Sequence, residues 1–382
     1  MNNVCKKIIF CSLLIVNYSL LVGQNVSGYV SEMPSVIWLN QPKSTFYWQN
    51  LVHNRLNFSW SFAKYFSFEA SVRNRLIVGS GVMISLDEMG ADKGWADLSW
   101  NFLSGNDGQI TSLLNIAFDR LNFTFEKGKW QVKLGRQRIN WGQTFVWNPN
   151  DIFNTYSFFD FDYIERPGCD ALHTTFFHNA TSSSELAVSV NHFSKITAAF
   201  MHHWNWKGFD FQVIAGEQTQ SDIVVGGAFT GDVKGVNLRG EFSVFQPIKN
   251  FKDTTTTIAV AIGADYMFKN SLMLQGEILY NNVRKKNSAN GLMGLYSADL
   301  SAKTLSICDW NIFLQAQYPL TPRINGSLSA MYFVDINSFY SGFTLDFSLI
   351  QNLDFSLIAQ YFSAPKEKMH IVFGFGRLKY SF

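Results

Sequence analysis

The stretch RLNFSWSFAKYFSFEASVRNR, residues 55–75, alternates apolar and polar side chains in two consecutive runs. The apolar positions are Leu56, Phe58, Trp60 and Phe62 in the first run and Phe66, Phe68, Ala70 and Val72 in the second. A period of two is typical of β-strands whose two faces meet different environments. Since only residues 63–65 separate the runs, the stretch predicts two antiparallel strands joined by a tight turn.

The same alternation returns near the other end of the chain. It is carried by Trp310, Ile312, Leu314 and Ala316, and again by Phe343, Leu345, Phe347 and Leu349. These runs reach ten residues or more, whereas strands of soluble proteins average about 5 to 6 residues. A tilted strand that crosses a bilayer needs about 9 to 11 residues.

The composition favours the same conclusion. Aromatic residues make up 16% of the chain, with 36 Phe, yet the mean hydropathy is near zero. A transmembrane barrel explains both values, because one face of each strand meets lipid and the other meets water. We therefore predict an all-β fold, a transmembrane antiparallel β-barrel of about 16 to 18 strands in a single domain.

The first residues are typical of an export signal. Lys6 and Lys7 precede an apolar run at residues 8–16, which is too short for a spanning helix of about 20 residues. We predict a signal peptide at residues 1–23 and a barrel at residues 24–382, located in the outer membrane of a Gram-negative cell. Removing the two lysines cancels the formal charge of +2, so nothing in the charge indicates nucleic acid as a partner.

Short and long connections alternate along the chain. Tight turns are predicted at residues 127–129, 207–208, 269–270, 320–322 and 351–352, and outer loops at 80–111, 141–170, 246–255 and 283–307. With both termini in the periplasm, the count is 18 strands if residues 27–39 form the first and residues 95–102 belong to a loop. Sixteen strands is the alternative. The terminal Phe382 is expected to be read by the barrel insertion machinery, or is simply an aromatic strand end.

The most distinctive stretch is LGRQRINWGQTFVWNPNDIFNTYSFFDFDYIERPGCD, residues 134–170. It resembles outer-membrane barrels with G-R-Q, W-G, N-P-x-D and R-P-G elements, of which the best known is the family of unknown function numbered 1302 (DUF1302), loosely related to alginate-export-type barrels. The matching residues are Gly135, Arg136, Gln137, Trp141, Gly142, Asn148, Pro149, Asp151, Arg166, Pro167 and Gly168. The resemblance implies a porin-like barrel and no established substrate.

Basic residues gather on strands that we expect to be neighbours. The predicted pore-lining set is Arg55, Arg73, Arg75, Arg120, Lys133, Arg136 and Arg138, and the predicted constriction-loop set is Asp151, Asp160, Asp162 and Glu165. If the loop at 141–170 folds inward, its acids would face the basic wall across a narrowed opening. The alternative is a set of solvated lumen charges beside a surface loop.

In the strand that leads into this loop, the alternation would place two arginines on the face that meets lipid. Trp130, Val132 and Leu134 form an outward set that would carry Arg136 and Arg138 into lipid, at about 2 to 4 kcal/mol for each charge at mid-depth. A β-bulge at Gly135 would turn both arginines inward. Otherwise both lie above the apolar band.

Three other kinds of site are weaker candidates. His192 and Ser194 have the spacing of a barrel lipid hydrolase, with Asn191 or Asn179 in support. Asp160, Asp162 and Glu165 could bind calcium, but no known calcium-loop geometry accompanies them. Cys169 and Cys308 could tie two loops together, or remain free. We assign no catalytic residue, metal or cofactor.

The expected function is passive passage of small hydrophilic solutes by a chain that is not an enzyme. The alternatives are an exporter of a polysaccharide-like product, a barrel lipid hydrolase using His192 and Ser194, and a non-conducting barrel that presents its loops to a partner. Expected partners are outer-membrane lipid, the insertion machinery and the solutes. A homo-oligomer stays open, because a lipid face and a subunit interface are both apolar.

Overall fold

The computed structural model describes residues 23–40, 43–82, 94–106, 109–155, 158–159, 165–249, 251–252, 255–282 and 301–382. The predicted signal peptide lies almost wholly outside these ranges, so the division at residue 23 stays a prediction. No helix among the described residues is long and apolar enough to cross a membrane.

The described residues form strands almost throughout. The strands are β1 (Gln24–Leu39), β2 (Thr45–Ala63), β3 (Phe66–Gly79), β4 (Ser99–Asn106), β5 (Gln109–Lys127), β6 (Trp130–Gln137), β7 (Cys169–Asn179), β8 (Ser182–Val190), β9 (Ile196–Trp206), β10 (Phe209–Gln218), β11 (Asp222–Val233), β12 (Val236–Pro247), β13 (Thr257–Met267), β14 (Met273–Asn281), β15 (Trp310–Thr321), β16 (Ile324–Phe333), β17 (Ser338–Ile350), β18 (Leu353–Ala364) and β19 (Met369–Ser381). A short 3-10 turn, Pro365–Glu367, precedes β19.

The sheet closes on itself. Successive strands pair antiparallel, and β1 pairs with both β2 and β19. Eighteen strands form a closed barrel, with β4 as an addition, so the prediction of 18 strands is confirmed and the alternative of 16 is wrong. Closure matters physically because an open sheet edge would leave backbone N–H and C=O groups unpaired.

β4 corrects the expectation that residues 95–102 belong to a loop. One side of β5 pairs with β3, while its other side pairs with β6 at Leu121–Lys127 and with β4 at Gln109–Ala117. β6 ends at Gln137 because the chain there turns into the barrel. β4 therefore occupies the wall position that β6 leaves empty, and supplies the backbone hydrogen bonds that the upper half of β5 needs.

The predicted tight turns lie at one end of the barrel. The other end carries the long connections together with short ones, such as residues 219–221 and 334–337. Short turns follow Lys127, Trp206, Met267, Thr321 and Ile350. Three predicted boundaries change. β1 begins at Gln24, and the connection at 80–111 contains β4 and the start of β5. The described residues between 138 and 168 lie inside the barrel instead of forming an outer loop.

The chain has a β-bulge on β5 and none at Gly135. Ser71 pairs with Arg120 and Val72 with Phe118, so Asp119 is the extra residue of β5. The pairing of β6 through Gly135 is continuous on both sides, so the predicted bulge there is wrong. Gly135 instead has φ +119°, and a Cβ at this position would overlap the Leu121 carbonyl oxygen. The glycine is required by close backbone approach.

Candidate functional site

The connection between β6 and β7, residues 138–168, is called the lumen loop. Its described residues, 138–155, 158–159 and 165–168, lie inside the barrel. Its first anchor is Glu241 on β12, whose carboxylate accepts hydrogen bonds from the backbone N–H groups of Gln143, Thr144 (2.6 Å) and Asn150 (3.1 Å). The Thr144 hydroxyl donates to the same carboxylate at 2.9 Å. One buried glutamate therefore satisfies three N–H groups of an irregular segment that has no strand to pair with.

The second anchor is Glu277 on β14. Its carboxylate accepts the N–H groups of Phe145 (2.7 Å), Val146 (3.2 Å) and Trp147 (2.8 Å). Glu277 is 2% exposed, like Glu241. Together the two glutamates hold residues 143–150 against the strands on one side of the barrel.

Neither anchor is among the predicted site residues, although the sequence contains a signal for both. Leu238-Arg239-Gly240-Glu241 and Leu274-Gln275-Gly276-Glu277 repeat the pattern L-x-G-E in two strands. In each case an acid stands on the inward face between outward apolar residues. Nothing in the pattern names the partner, because the six N–H groups lie about 100 residues away in the chain.

Further contacts fix the loop along neighbouring strands. The indole Nε1 of Trp141 donates to Glu185 on β8 at 2.8 Å, and His173 on β7 contacts the same carboxylate oxygen at 2.8 Å. Gln212 on β10 donates to the Trp141 carbonyl at 2.8 Å. Arg239 on β12 lies over the Phe145 ring at 3.8 Å.

Two phenylalanines carry the loop to the other side of the barrel. Phe158 packs edge-on against Phe313 of β15 at 5.1 Å between ring centres, and Phe159 against Tyr340 of β17 at 5.2 Å. Phe159 also packs against Phe362 of β18 at 5.3 Å. The loop thus contacts the inner wall from β8 to β18.

The last residues of the lumen loop contact the barrel wall close to its predicted basic residues. The hydroxyl of Tyr29 on β1 donates to Glu165 at 3.1 Å, while Arg120 donates to the carbonyl oxygens of Glu165 at 2.6 Å and Arg166 at 3.1 Å. The segment therefore folds inward, which the sequence had left open. Asp160 and Asp162 lie outside the described residues, so their predicted role at a constriction stays a prediction.

Two predicted pore arginines share one aspartate. Arg55 and Arg73 both form ion pairs with Asp119, the second at 3.5 Å, and all three side chains are at most 7% exposed. The β5 bulge makes this possible, because it turns both Asp119 and Arg120 inward. Among the described residues, the acid that pairs with these arginines thus belongs to β5 and not to the lumen loop.

Arg136 lies within the barrel wall. Its guanidinium binds both oxygens of Asp170 on β7, at 2.8 and 2.9 Å, and donates to the Ala96 carbonyl at 2.5 Å. Asp170 in turn accepts the Ala96 N–H at 2.8 Å. A Cβ at Gly94 would overlap the guanidinium. The ion pair between Arg136 and Asp170 therefore holds the segment before β4 in the wall. The predicted role of Arg136 in lining the pore stays a prediction.

The remaining predicted basic residues are less constrained. Arg75 is half-buried on the inward face of β3, next to buried Arg73 in the alternation. Arg138 is half-buried at the start of the lumen loop and donates to Asn140 at 3.1 Å. Lys133 lines an inward cavity of about 420 Å³ at the turn end, with Glu69 and Glu126. Their roles in selectivity stay predictions.

Charges on the inner wall are unevenly distributed. The basic arc, on β19 to β6, contains Arg377, Lys379, Arg55, Arg73, Arg75, Arg120 and Lys133, which outnumber the inward acids Glu69, Asp119 and Glu126. The acidic arc, on β8 to β14, contains Glu185, Asp210, Asp222, Asp232, Glu241, Asp265 and Glu277, which outnumber the inward base Arg239. The two arcs lie on different sides of the closed sheet and impose a field across its interior.

Asp151 is buried in the lumen loop at 1% exposure, and neither carboxylate oxygen accepts a hydrogen bond of normal geometry from the described residues. Burial raises the pKa of Asp151 to about 7, with Glu241 adding to the rise and Arg138 opposing it. A raised native pKa contributes stability that is present below about pH 4 and lost as the pH rises through 7.

We expect the Asp151→Asn variant to be less sensitive to pH between 5 and 8 than the wild type. The native pKa of about 7 lies about two pH units above pH 5, so the difference in the pH dependence of the free energy of unfolding is at most about 2.7 kcal/mol. Urea unfolding in lipid vesicles at both pH values measures it, with Asp354→Asn, an exposed acid, as the control. An unchanged pH dependence in Asp151→Asn would refute the assignment.

The other predicted chemistry finds little support in the geometry. His192 and Ser194 lie in the turn between β8 and β9, and no hydrogen bond joins their side chains. Both Cys169 and Cys308 are free. Within the described ranges, no group of three or more His, Cys, Asp or Glu side chains could hold a metal ion.

Comparison with known proteins gives a fold but no family. No protein-family model matches the chain, and no curated protein sequence matches it. The resemblance to family 1302 and alginate-export-type barrels is therefore not supported.

Solved structures with the same fold are outer-membrane porins of the Occ and Opd groups. OccAB4 of Acinetobacter baumannii has a TM-score of 0.55 at 9% identity, covering 94% of this chain and 99% of its own. OpdK of Pseudomonas aeruginosa, solved with vanillate, has a TM-score of 0.58 at 6% identity, covering 94% and 98%. OpdL of the same organism has a TM-score of 0.57 at 10% identity, covering 95% and 99%. At such identities the likeness shows the fold alone.

Proposed function

We propose that this chain is an outer-membrane channel through which small hydrophilic solutes pass passively, and that it catalyses no reaction. The observation that carries the proposal is a closed 18-stranded barrel with a basic and an acidic arc on its inner wall and a fixed loop between them. A water-filled barrel needs a polar inner wall, and opposed charges orient polar solutes as they pass.

The outward face supports a membrane location. Side chains such as Val213, Ile262 and Leu314 are 45%, 58% and 60% exposed, although they are apolar. In water such a surface would cause aggregation, whereas in a bilayer it is favourable. The barrel form places the chain in the outer membrane of a Gram-negative cell, with Phe382 on its last strand as the proposed signal to the insertion machinery.

The lumen loop favours small solutes over a polymer. Because both anchors and the aromatic contacts of Phe158 and Phe159 hold it inside the barrel, the loop narrows the passage. A polysaccharide-like product would need the loop to leave. A lipid hydrolase would need a serine activated by a nearby histidine, and the predicted pair at His192 and Ser194 forms no hydrogen bond.

Single-channel recording in a planar bilayer tests the proposal. We expect discrete conductance steps for the purified protein, and a shift of the reversal potential towards cation preference in the Arg75→Glu/Lys133→Glu variant. Lys249→Glu, an exposed change in an outer connection, is the matched control and leaves the reversal potential unchanged. Absence of steps from folded protein would refute the channel, and unchanged selectivity would refute the role of the basic arc.

A further inference from the structure

Four polar side chains point outward from β1, β2 and β3. They are Glu32, Asn50, Asn54 and Asn74, which we call the polar patch. Their outward direction follows from the alternation of each strand, since the neighbours of Asn54 are the buried His53 and Arg55. Asn54 pairs with Asn74 across β2 and β3, so the two amides lie side by side.

The polar patch lies at the middle of the apolar band. Asn54 is six residues from Trp48 in one direction and six from Trp60 in the other, and both tryptophans point outward at 57% and 38% exposure. Six residues of a tilted strand rise about 15 Å along the barrel axis, and the band is about 25 Å tall. Aromatic residues mark the edges of such a band, which places Asn54 near its centre.

The contrast with the other strands is sharp. Near the middle of their strands, β8, β10, β13 and β15 present Leu186, Val213, Ile262 and Leu314 outward. Lipid cannot donate or accept the hydrogen bonds that amides and carboxylates require, so exposure of the polar patch to lipid is costly.

Hydrogen bonds to neighbouring residues satisfy only some of the polar atoms of the polar patch. Asn50 donates to Glu32 at 2.9 Å, Asn74 donates to the Asn54 side-chain oxygen at 3.2 Å, and Asn54 donates to the Tyr29 carbonyl at 3.2 Å. Glu32 is exposed, and its second carboxylate oxygen accepts no hydrogen bond from the described residues. Hydrogen-bonding capacity therefore remains for a partner.

The outer surface beside the polar patch is recessed, because glycines stand there instead of larger side chains. On β19, which pairs with β1, Gly374 and Gly376 occupy outward positions, and Gly374 pairs with Val36. A Cβ at Gly376 would meet only the Phe355 ring, at 3.8 Å, so nothing above the sheet fills this place. Small residues allow two membrane proteins to approach closely.

We propose that the polar patch is the contact surface for a second copy of this chain, so that the protein assembles as a homo-oligomer in the membrane. When two copies are related by a rotation axis along the membrane normal, a given residue lies at the same depth in both copies. The polar patch of one copy can then contact the polar patch of the other. Amide side chains both donate and accept, and are therefore complementary to themselves. The inference rests on the membrane location given under the proposed function, and not on conduction.

Site-specific photo-crosslinking tests the contact. Position 54 carries p-benzoylphenylalanine in one full-length protein and position 262, on the far side of the barrel, carries it in the control. In lipid vesicles we expect adducts at multiples of the chain mass from position 54 and none from position 262. Adducts only to lipid, or to a protein of another mass, would overturn the inference.

A pair of substitutions provides the second measurement. We expect Asn54→Leu/Asn74→Leu to lower the oligomeric fraction in native mass spectrometry at least tenfold, while Ile262→Leu/Ile278→Leu leaves it unchanged. Heat-modifiable migration in gels shows that each variant is folded. A wild type that is monomeric in lipid refutes the interface. Loss of conduction with crosslinking retained refutes the channel alone, so the two failures are distinguishable.

Discussion

Replacing Glu241 and Glu277 together by alanine is expected to raise the single-channel conductance severalfold. The two carboxylates accept six backbone N–H groups of the lumen loop, three each. A hydrogen bond to a charged group contributes about 1.5 to 3 kcal/mol, and a buried N–H without a partner is costly. Without the two acceptors the loop leaves the wall, and the passage it narrowed becomes wider.

Recordings in planar bilayers measure this effect directly. The control is Glu367→Ala, which removes an exposed acid from the turn before β19 and leaves the step size unchanged. Glu241→Gln/Glu277→Gln keeps one acceptor oxygen at each site, so its step size is expected between those of the wild type and the alanine variant. An alanine variant that is folded and conducts like the wild type would show that other contacts hold the loop.

The second large effect is expected from Asp119→Asn, which removes an acid that forms ion pairs with both Arg55 and Arg73. Breaking a buried ion pair by removing one partner costs about 3 to 5 kcal/mol, because a charge stays buried without compensation. Here two guanidinium groups, each no more than 7% exposed, lose their acid. We expect the free energy of unfolding in lipid vesicles to fall by that amount.

A matched acid and a compensating variant make the result specific. Asp354→Asn changes an exposed aspartate with one hydrogen bond, from Ser348, and is expected within about 0.5 kcal/mol of the wild type. Replacing Arg55, Arg73 and Asp119 together by apolar residues removes the charges as well as the pair, and should recover much of the stability. If Asp119→Asn is as stable as the wild type, the cluster is hydrated and the argument from burial fails.

The position of Asp119 could have been predicted from the sequence. The outward apolar residues of β5 are Leu114, Ile116 and Phe118, and then Leu121 and Phe123. The shift from even to odd numbers at Asp119 is the signature of one inserted residue. We instead predicted a bulge at Gly135, where glycine serves close backbone approach in a regular register.

Arg136 shows what the alternation could not decide. The alternation along β6 places Arg136 on the face opposite the basic arc. From the sequence we considered two explanations, a bulge at Gly135 or a position above the apolar band. The structure has a third solution, in which Asp170 and the Ala96 backbone enclose the guanidinium within the wall. Ala96 is far from Arg136 in the chain, so no local pattern reveals the contact.

By itself the sequence determined the spanning element, a range of 16 to 18 strands, the tight turns and the inward direction of most charged side chains. These follow from a period of two and from turn composition, which act over a few residues. The tertiary structure alone decided that the described part of the lumen loop lies inside the barrel, that Glu241 and Glu277 hold it, and that β4 completes the wall above β6. Those outcomes depend on which distant groups satisfy buried backbone N–H and C=O groups, and closure of the barrel brings these groups together.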